Sequence, residues 1–165
     1  MTPTKTAQKL IYKLEQTGEN TLEFFKGIEE TQWQLQVYSD GPAWGVHNIF
    51  AHLTEVEVSV PRLIRNIVAG GSGVPKDFDI DRYNKKHVDQ LSRLSREDLL
   101  AEHPCRRQET IALVETLNEA DFRKRGRHPF LGKSEILEML RLMMLHSRIH
   151  ERDVRRALED VLAGG

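Results

Sequence analysis

Met139-Leu140-Arg141-Leu142-Met143-Met144-Leu145-His146-Ser147-Arg148-Ile149-His150 is the stretch on which the reading of this chain turns. His146 and His150 stand four residues apart. On an α-helix that spacing puts them one turn apart on nearly the same face, about 6 Å along the axis. Ile136, Leu140, Met143, Val154, Leu158 and Val161 recur at helical spacing and trace one apolar stripe. Both histidines fall on or beside that stripe. Burying an unpaired polar group is costly, so either other side chains hydrogen-bond the two imidazoles or the imidazoles hold a metal ion.

A third histidine makes the metal reading testable. Ile49, Leu53, Val56, Val60, Leu63 and Ile67 form a second helical stripe. His52 follows Ile49 by three and precedes Val56 by four, so it also points inward. Three core-facing histidines on two helices can meet only where those helices are neighbours. If they meet, a first-row divalent cation has three nitrogen ligands and an open position. That is the arrangement of catalytic sites, whereas structural zinc sites usually close with four protein ligands.

Bulk properties narrow the class. A chain of 165 residues is read as one domain, residues 1–165, with enough length for a proper core. Its formal net charge of -1 gives no basic excess that would point to nucleic acid. No apolar run is long enough to span a bilayer, and no apolar signal core follows Met1-Thr2-Pro3-Thr4-Lys5. Cys105 is the only cysteine, which excludes an internal disulfide. A cytoplasmic protein is the expectation.

Outward from the two stripes, the first helix is expected to begin near Thr4 or Thr6, with Leu10, Ile11, Leu14, Leu22, Phe25 and Ile28 inward. Gly18 and Asn20 weaken its middle and allow a kink or local break. Thr31 to Trp44 reads as a loop around Ser39-Asp40-Gly41-Pro42, with Trp33, Tyr38 and Trp44 as aromatic caps of the core. The second helix runs roughly from Ala43 to Ala69, with a bend expected at Pro61. It stops at Gly70-Gly71-Ser72-Gly73, a flexible join with no phosphate-loop lysine behind it. Asp81 to Leu117 reads as one long, irregular helical unit, with a fresh N-cap at Ser95 and a distortion at Pro104. Asn118 to Lys133 is a second loop, whose run Arg123-Lys124-Arg125 is a solvated patch. The last helix spans Ser134 to about Leu162. No alternating strand segment is found. Four helical units without a sheet predict an all-α four-helix bundle.

The chain resembles the DinB/YfiT-like superfamily. The resemblance rests on Trp44 followed by His52-Leu53, on Asp81 and Asn84 at the start of the third unit, on Gly132, and on His146-x-x-x-His150. It covers almost the whole chain, from the first helix to Leu158. It implies an up-down-down-up bundle in which the second and last helices lie side by side and His52, His146 and His150 form a metal triad. It further implies a divalent metal cofactor, zinc or nickel foremost, a small-molecule substrate and a homodimer. It also implies a thiol-dependent S-transferase working with a low-molecular-weight thiol on electrophilic small molecules. Two alternatives stay open: a metal-dependent hydrolase, and a non-catalytic bundle stabilised by metal. No nucleic-acid or membrane partner is expected.

Around the triad, metal-bound imidazoles usually donate their second ring proton to a carboxylate or carbonyl. Glu55, three beyond His52, and Asp153, three beyond His150, are within helical reach, and ordinary surface carboxylates are an equal alternative. Asn84 lines the site by its place in the family pattern, or is only a polar residue in a first turn. His47 lies roughly 140° around the helix from His52 and is left out. His87 is read as packing, Arg148 and Arg152 as exposed arginines, Cys105 as a small core residue, and His103 and His128 receive no role.

Overall fold

The computed structural model describes residues 2–164. Helix α1 runs Lys5–Lys26, α2 Val46–Val68, α3 Ile80–Leu91, α4 Arg96–Thr116, α5 Glu119–Arg123 and α6 Ile136–Ala163. A 3-10 turn spans Glu30–Gln34, and strands β1 (Arg125–His128) and β2 (Gly132–Glu135) stand between α5 and α6. Among the described residues no helix is long and apolar enough to cross a membrane.

Local chemistry starts each helix where the capping residues fall. Thr4 accepts the Ala7 amide, Asp79 the Arg82 amide and Ser95 the Asp98 amide, so side-chain oxygens satisfy donors that the first turn leaves free. The long unit expected over Asp81 to Leu117 is therefore two helices. The chain leaves helical geometry after Leu91, and the Ser95 cap restarts it. Asn48 of α2 donates to the Ser92 hydroxyl at 3.1 Å and fixes the break in place. The local break that Gly18 and Asn20 allow does not occur. Gly18 is buried within an unbroken α1, and a Cβ there would stand 3.2 Å from Cγ of Arg107, so the glycine admits the arginine. Pro61 and Pro104 both sit inside continuous helices.

Helices α1, α2, α4 and α6 make the bundle. Arg96 of α4 donates to the Lys26 carbonyl near the end of α1, and Arg107 donates to Leu14 further back, so α1 and α4 are antiparallel. Phe50 stacks on His103, and Glu57 meets Arg107 and Thr110, so α2 and α4 run together. His52 meets His146, while Val68 accepts from Lys124 just ahead of α6, so α2 and α6 oppose. The order is up-down-down-up, and it places α2 beside α6.

The core has two apolar halves. One gathers Leu10, Leu14, Ile64, Val114, Met139 and Leu140. The other gathers Phe25, Trp33, Phe50, Leu53, Leu99 and Val154. Between them lies a buried ion pair, Glu57 Oε1 to Arg107 Nη2 at 2.6 Å, with both side chains at most 3% exposed. Thr110 donates to the second carboxylate oxygen at 2.9 Å, and Arg107 also donates to Thr17 and to the Leu14 carbonyl. Burial alone raises the Glu57 pKa, and Arg107 acts against that rise.

The loop expected over Asn118 to Lys133 contains structure that the sequence reading missed. Asn118 caps α5, and β1 pairs antiparallel with β2 through Arg125–Glu135 to His128–Gly132. Gly73 adds a parallel bridge to Arg127; its φ of +86° and the Arg127 backbone within 2.5 Å of a notional Cβ leave room for glycine alone. Two further expectations fail. Val161 is exposed rather than inward, because the apolar contacts of α6 end near Leu158. Cys105 is exposed on α4 rather than in the core.

Candidate metal centre

Helix α2 brings His52, and α6 brings His146 and His150, to one point. The Nε2 atoms of His52 and His146 are 3.2 Å apart, and those of His150 and His146 are 2.9 Å apart. One nitrogen from each ring falls within 4.8 Å of the other two. His52 is 6% exposed, whereas His146 and His150 are only half-buried, so the α2 member of the cluster is the more deeply buried.

Electrostatics keep all three rings neutral. Burial, then His146 and His150, lower the His52 pKa well below its ordinary value. Burial, then His150 and His128, bring His146 to about 3. Burial brings His150 to about 4, against a smaller opposing pull from Asp153. A neutral imidazole has one N–H and one lone pair. A single proton on the His146 Nε2 can bridge to only one neighbour at a time, whereas one cation can take a lone pair from all three rings. Three neutral nitrogen donors, with no fourth protein ligand among the described residues, match a borderline first-row divalent ion with an exchangeable position.

The surroundings come from one loop and two flanking residues. Val37 and Tyr38 amides both donate to the Trp44 carbonyl, at 3.0 and 3.1 Å, and the Val46 amide donates to Leu35. This closed neck sets Trp44 against His52, ring centroids 4.8 Å apart, and Tyr38 against His150. Tyr38 Oη lies 2.8 Å from His150 Nδ1 and 2.8 Å from Asp153 Oδ2. Trp33 and Trp44 are core residues as expected, but Tyr38 is more than a cap: it reaches the cluster. Its position in a loop gave no periodicity by which to see this.

The flanking residues named from the sequence are placed as follows. Asp153 reaches His150 through Tyr38 and is paired with Arg152 at 2.8 Å. Burial disfavours its charge, but hydrogen bonds from Arg152 and Tyr38 outweigh that and hold its pKa below the usual carboxylate range. Glu55 is buried, accepts from Tyr83 Oη at 2.7 Å and Ser59 Oγ at 3.1 Å, and so ties α3 to α2 instead of meeting an imidazole. Asn84 is half-buried on α3, outside the hydrogen bonds around the cluster. His87 stacks on Tyr83 at 3.9 Å. His47 packs on the edge of Trp33, away from the triad.

An up-down-down-up bundle whose second and last long helices converge three imidazoles defines a recognisable class. The chain belongs to the DinB superfamily, which it matches over residues 13–154. It is similar in structure to the mycothiol-dependent maleylpyruvate isomerase, with a TM-score of 0.75 and 11% identity over 90% of this chain and 60% of that one. This chain thus spans about 60% of the isomerase's length. It is also similar to YfiT from Bacillus subtilis, described as a probable metal-dependent hydrolase with an unusual four-helix bundle topology. There the TM-score is 0.77 and identity 16%, over 96% of this chain and 89% of that one. The colibactin self-resistance protein ClbS, solved in complex with a dsDNA, gives a TM-score of 0.69 and 15% identity over 93% and 94%. At these identities the likeness shows the fold. No curated protein sequence matches the chain.

Proposed function

We propose that this protein is a divalent-metal-dependent enzyme that transfers a low-molecular-weight thiol to, or isomerises with its help, an electrophilic small molecule. The observation that carries the metal part is the convergence of the His52, His146 and His150 Nε2 atoms, two of them on half-buried rings. His52, His146 and His150 are the ligands in this reading. A cation held there, zinc or nickel foremost, supplies Lewis acidity that favours the deprotonated form of a nucleophile and polarises an electrophile. The chain's own part is to hold the three nitrogens at fixed separation and to cover the α2 side with Trp44 and the bundle core.

The thiol part draws support from the likeness to the mycothiol-dependent isomerase. The likeness to YfiT favours one second reading, a hydrolase in which water is the nucleophile. Metal-loaded protein incubated with an electrophile panel, with and without bacillithiol, mycothiol or glutathione, separates the two. Turnover only with thiol supports the transferase; turnover without thiol replaces it by the hydrolase. Elemental analysis of purified protein and of His52→Ala tests the centre itself. The expected result is one bound divalent ion per chain in the native protein and at least a hundredfold weaker binding in the variant. A homodimer, small-molecule partners and the absence of nucleic-acid binding belong to the same proposal; sedimentation and a duplex-binding titration test them.

A further inference from the structure

The Tyr38 hydroxyl touches both a carboxylate and a ring nitrogen of the triad, and only one assignment of protons satisfies all three groups. Asp153 is ion-paired with Arg152, whose guanidinium lies 3.0 and 2.8 Å from Oδ1. A carboxylate so paired is ionised and can only accept. The single phenol proton therefore points to Asp153 Oδ2 at 2.8 Å. The phenol oxygen then has only lone pairs for His150 Nδ1, also at 2.8 Å. Two lone pairs cannot face each other at that separation without repulsion, so Nδ1 carries the hydrogen. A neutral ring has one N–H, which leaves the His150 Nε2 lone pair free and aimed at the shared point.

We propose that Tyr38 and Asp153 are positioning residues that fix the tautomer and ring orientation of His150, making the loop over residues 35–45 a working part of the centre. The inference rests on the metal reading for its purpose but not for its geometry. The other rings lack such a device: His52 Nδ1 is buried without a hydrogen-bond partner among the described residues. The loop acts on both sides at once, because the same backbone neck that presents Tyr38 to α6 presents Trp44 to His52 on α2. The relay runs Asp153 to Tyr38 to His150, so a residue with no hydrogen bond of its own to His150 decides which nitrogen is available.

Long-range proton–nitrogen NMR spectra of the imidazoles in metal-free protein give the direct test. The wild type is expected to show His150 with hydrogen on Nδ1. Tyr38→Phe keeps the ring and its packing but removes the relay, and His150 is expected to become a mixture of tautomers. Asp153→Ala frees the Tyr38 proton to turn toward His150, which is expected to move the ring hydrogen to Nε2. Asp153→Asn, which still offers an acceptor oxygen, is expected to keep the wild-type tautomer. Zinc affinity by chelator competition is expected to fall about 10–100-fold in Tyr38→Phe and in Asp153→Ala, with melting temperature reporting whether each variant is folded. His150 with hydrogen on Nδ1 in all four folded proteins, or a wild type with hydrogen on Nε2, overturns the inference. A wild type that binds no divalent ion but shows the expected tautomers rejects the proposed function and leaves the relay standing.

Discussion

Arg107 shows what a single side chain does for this bundle. Its guanidinium joins α1, α2 and α4 through Leu14, Thr17 and Glu57 at the level between the two apolar halves of the core. Replacing it by Met leaves the Glu57 carboxylate buried without its partner, and breaking such pairs costs about 3–5 kcal/mol. Urea unfolding of Arg107→Met is expected to show a loss of that size. The double variant Glu57→Leu with Arg107→Met is expected to recover most of it, since two apolar chains can fill the same space. A double variant as unstable as the single one would mean that the remaining hydrogen bonds, and not the charge pair, hold this level. At the same scale the inward facing of His52, His146 and His150 was legible in the sequence as helical spacing on apolar stripes, while their meeting followed only from the family resemblance. Tyr38 was not, since a loop residue has no period and its partners Asp153 and His150 are more than a hundred positions away.

The helices were legible wherever side chains carry the signal. Ser95 announced its N-cap, and the stripes of α2 and α6 announced their inner faces. The break between α3 and α4 was blurred because Leu91, Leu94, Leu99 and Leu100 keep an apolar pattern across it; those four residues pack on one core half although the helix ends beneath them. The hairpin was hidden for a different reason. Its strands, Arg125-Gly126-Arg127-His128 and Gly132-Lys133-Ser134-Glu135, contain no β-branched or aromatic residue, so backbone pairing alone defines them. Their anchor is the crossing with residues 72–74, where the Arg127 amide donates to the Ser72 carbonyl at 2.8 Å and the Val74 amide to Arg127 at 3.0 Å. Gly73→Ala puts a methyl group into that backbone and a side chain at positive φ. The expected cost is about 1–3 kcal/mol, seen as a lower denaturation midpoint with faster amide exchange confined to the hairpin and the join after α2. Exchange that speeds up evenly over all six helices would show that the hairpin is not a separate unit.

Across the whole molecule, five buried or half-buried histidines, His52, His103, His128, His146 and His150, tie stability to pH. His103 and His146 are depressed to about 3, His150 to about 4, and His52 and His128 are lowered as well, with burial the leading cause in each. An unfolded chain binds protons on these rings near pH 6.5, where the folded protein refuses them. Stability of the metal-free protein is thus fully present above that value. It declines as pH falls and is lost through the folded-state values of about 4 and 3. Urea midpoints of chelated protein at pH 7.5 and 5 are expected to differ in that direction. A flat profile would mean the rings are more freely hydrated than their burial implies. If the proposed centre binds zinc, zinc at a hundred times its dissociation constant is expected to add about 2.7 kcal/mol. The up-down-down-up course has a last consequence. His52 and His146 are 94 positions apart in sequence and adjacent only because the chain crosses the bundle between α2 and α4. A ribosome-bound chain that has delivered α1 to α5 owns a solitary imidazole where the finished molecule has three, so the cluster exists only once the final helix has come home.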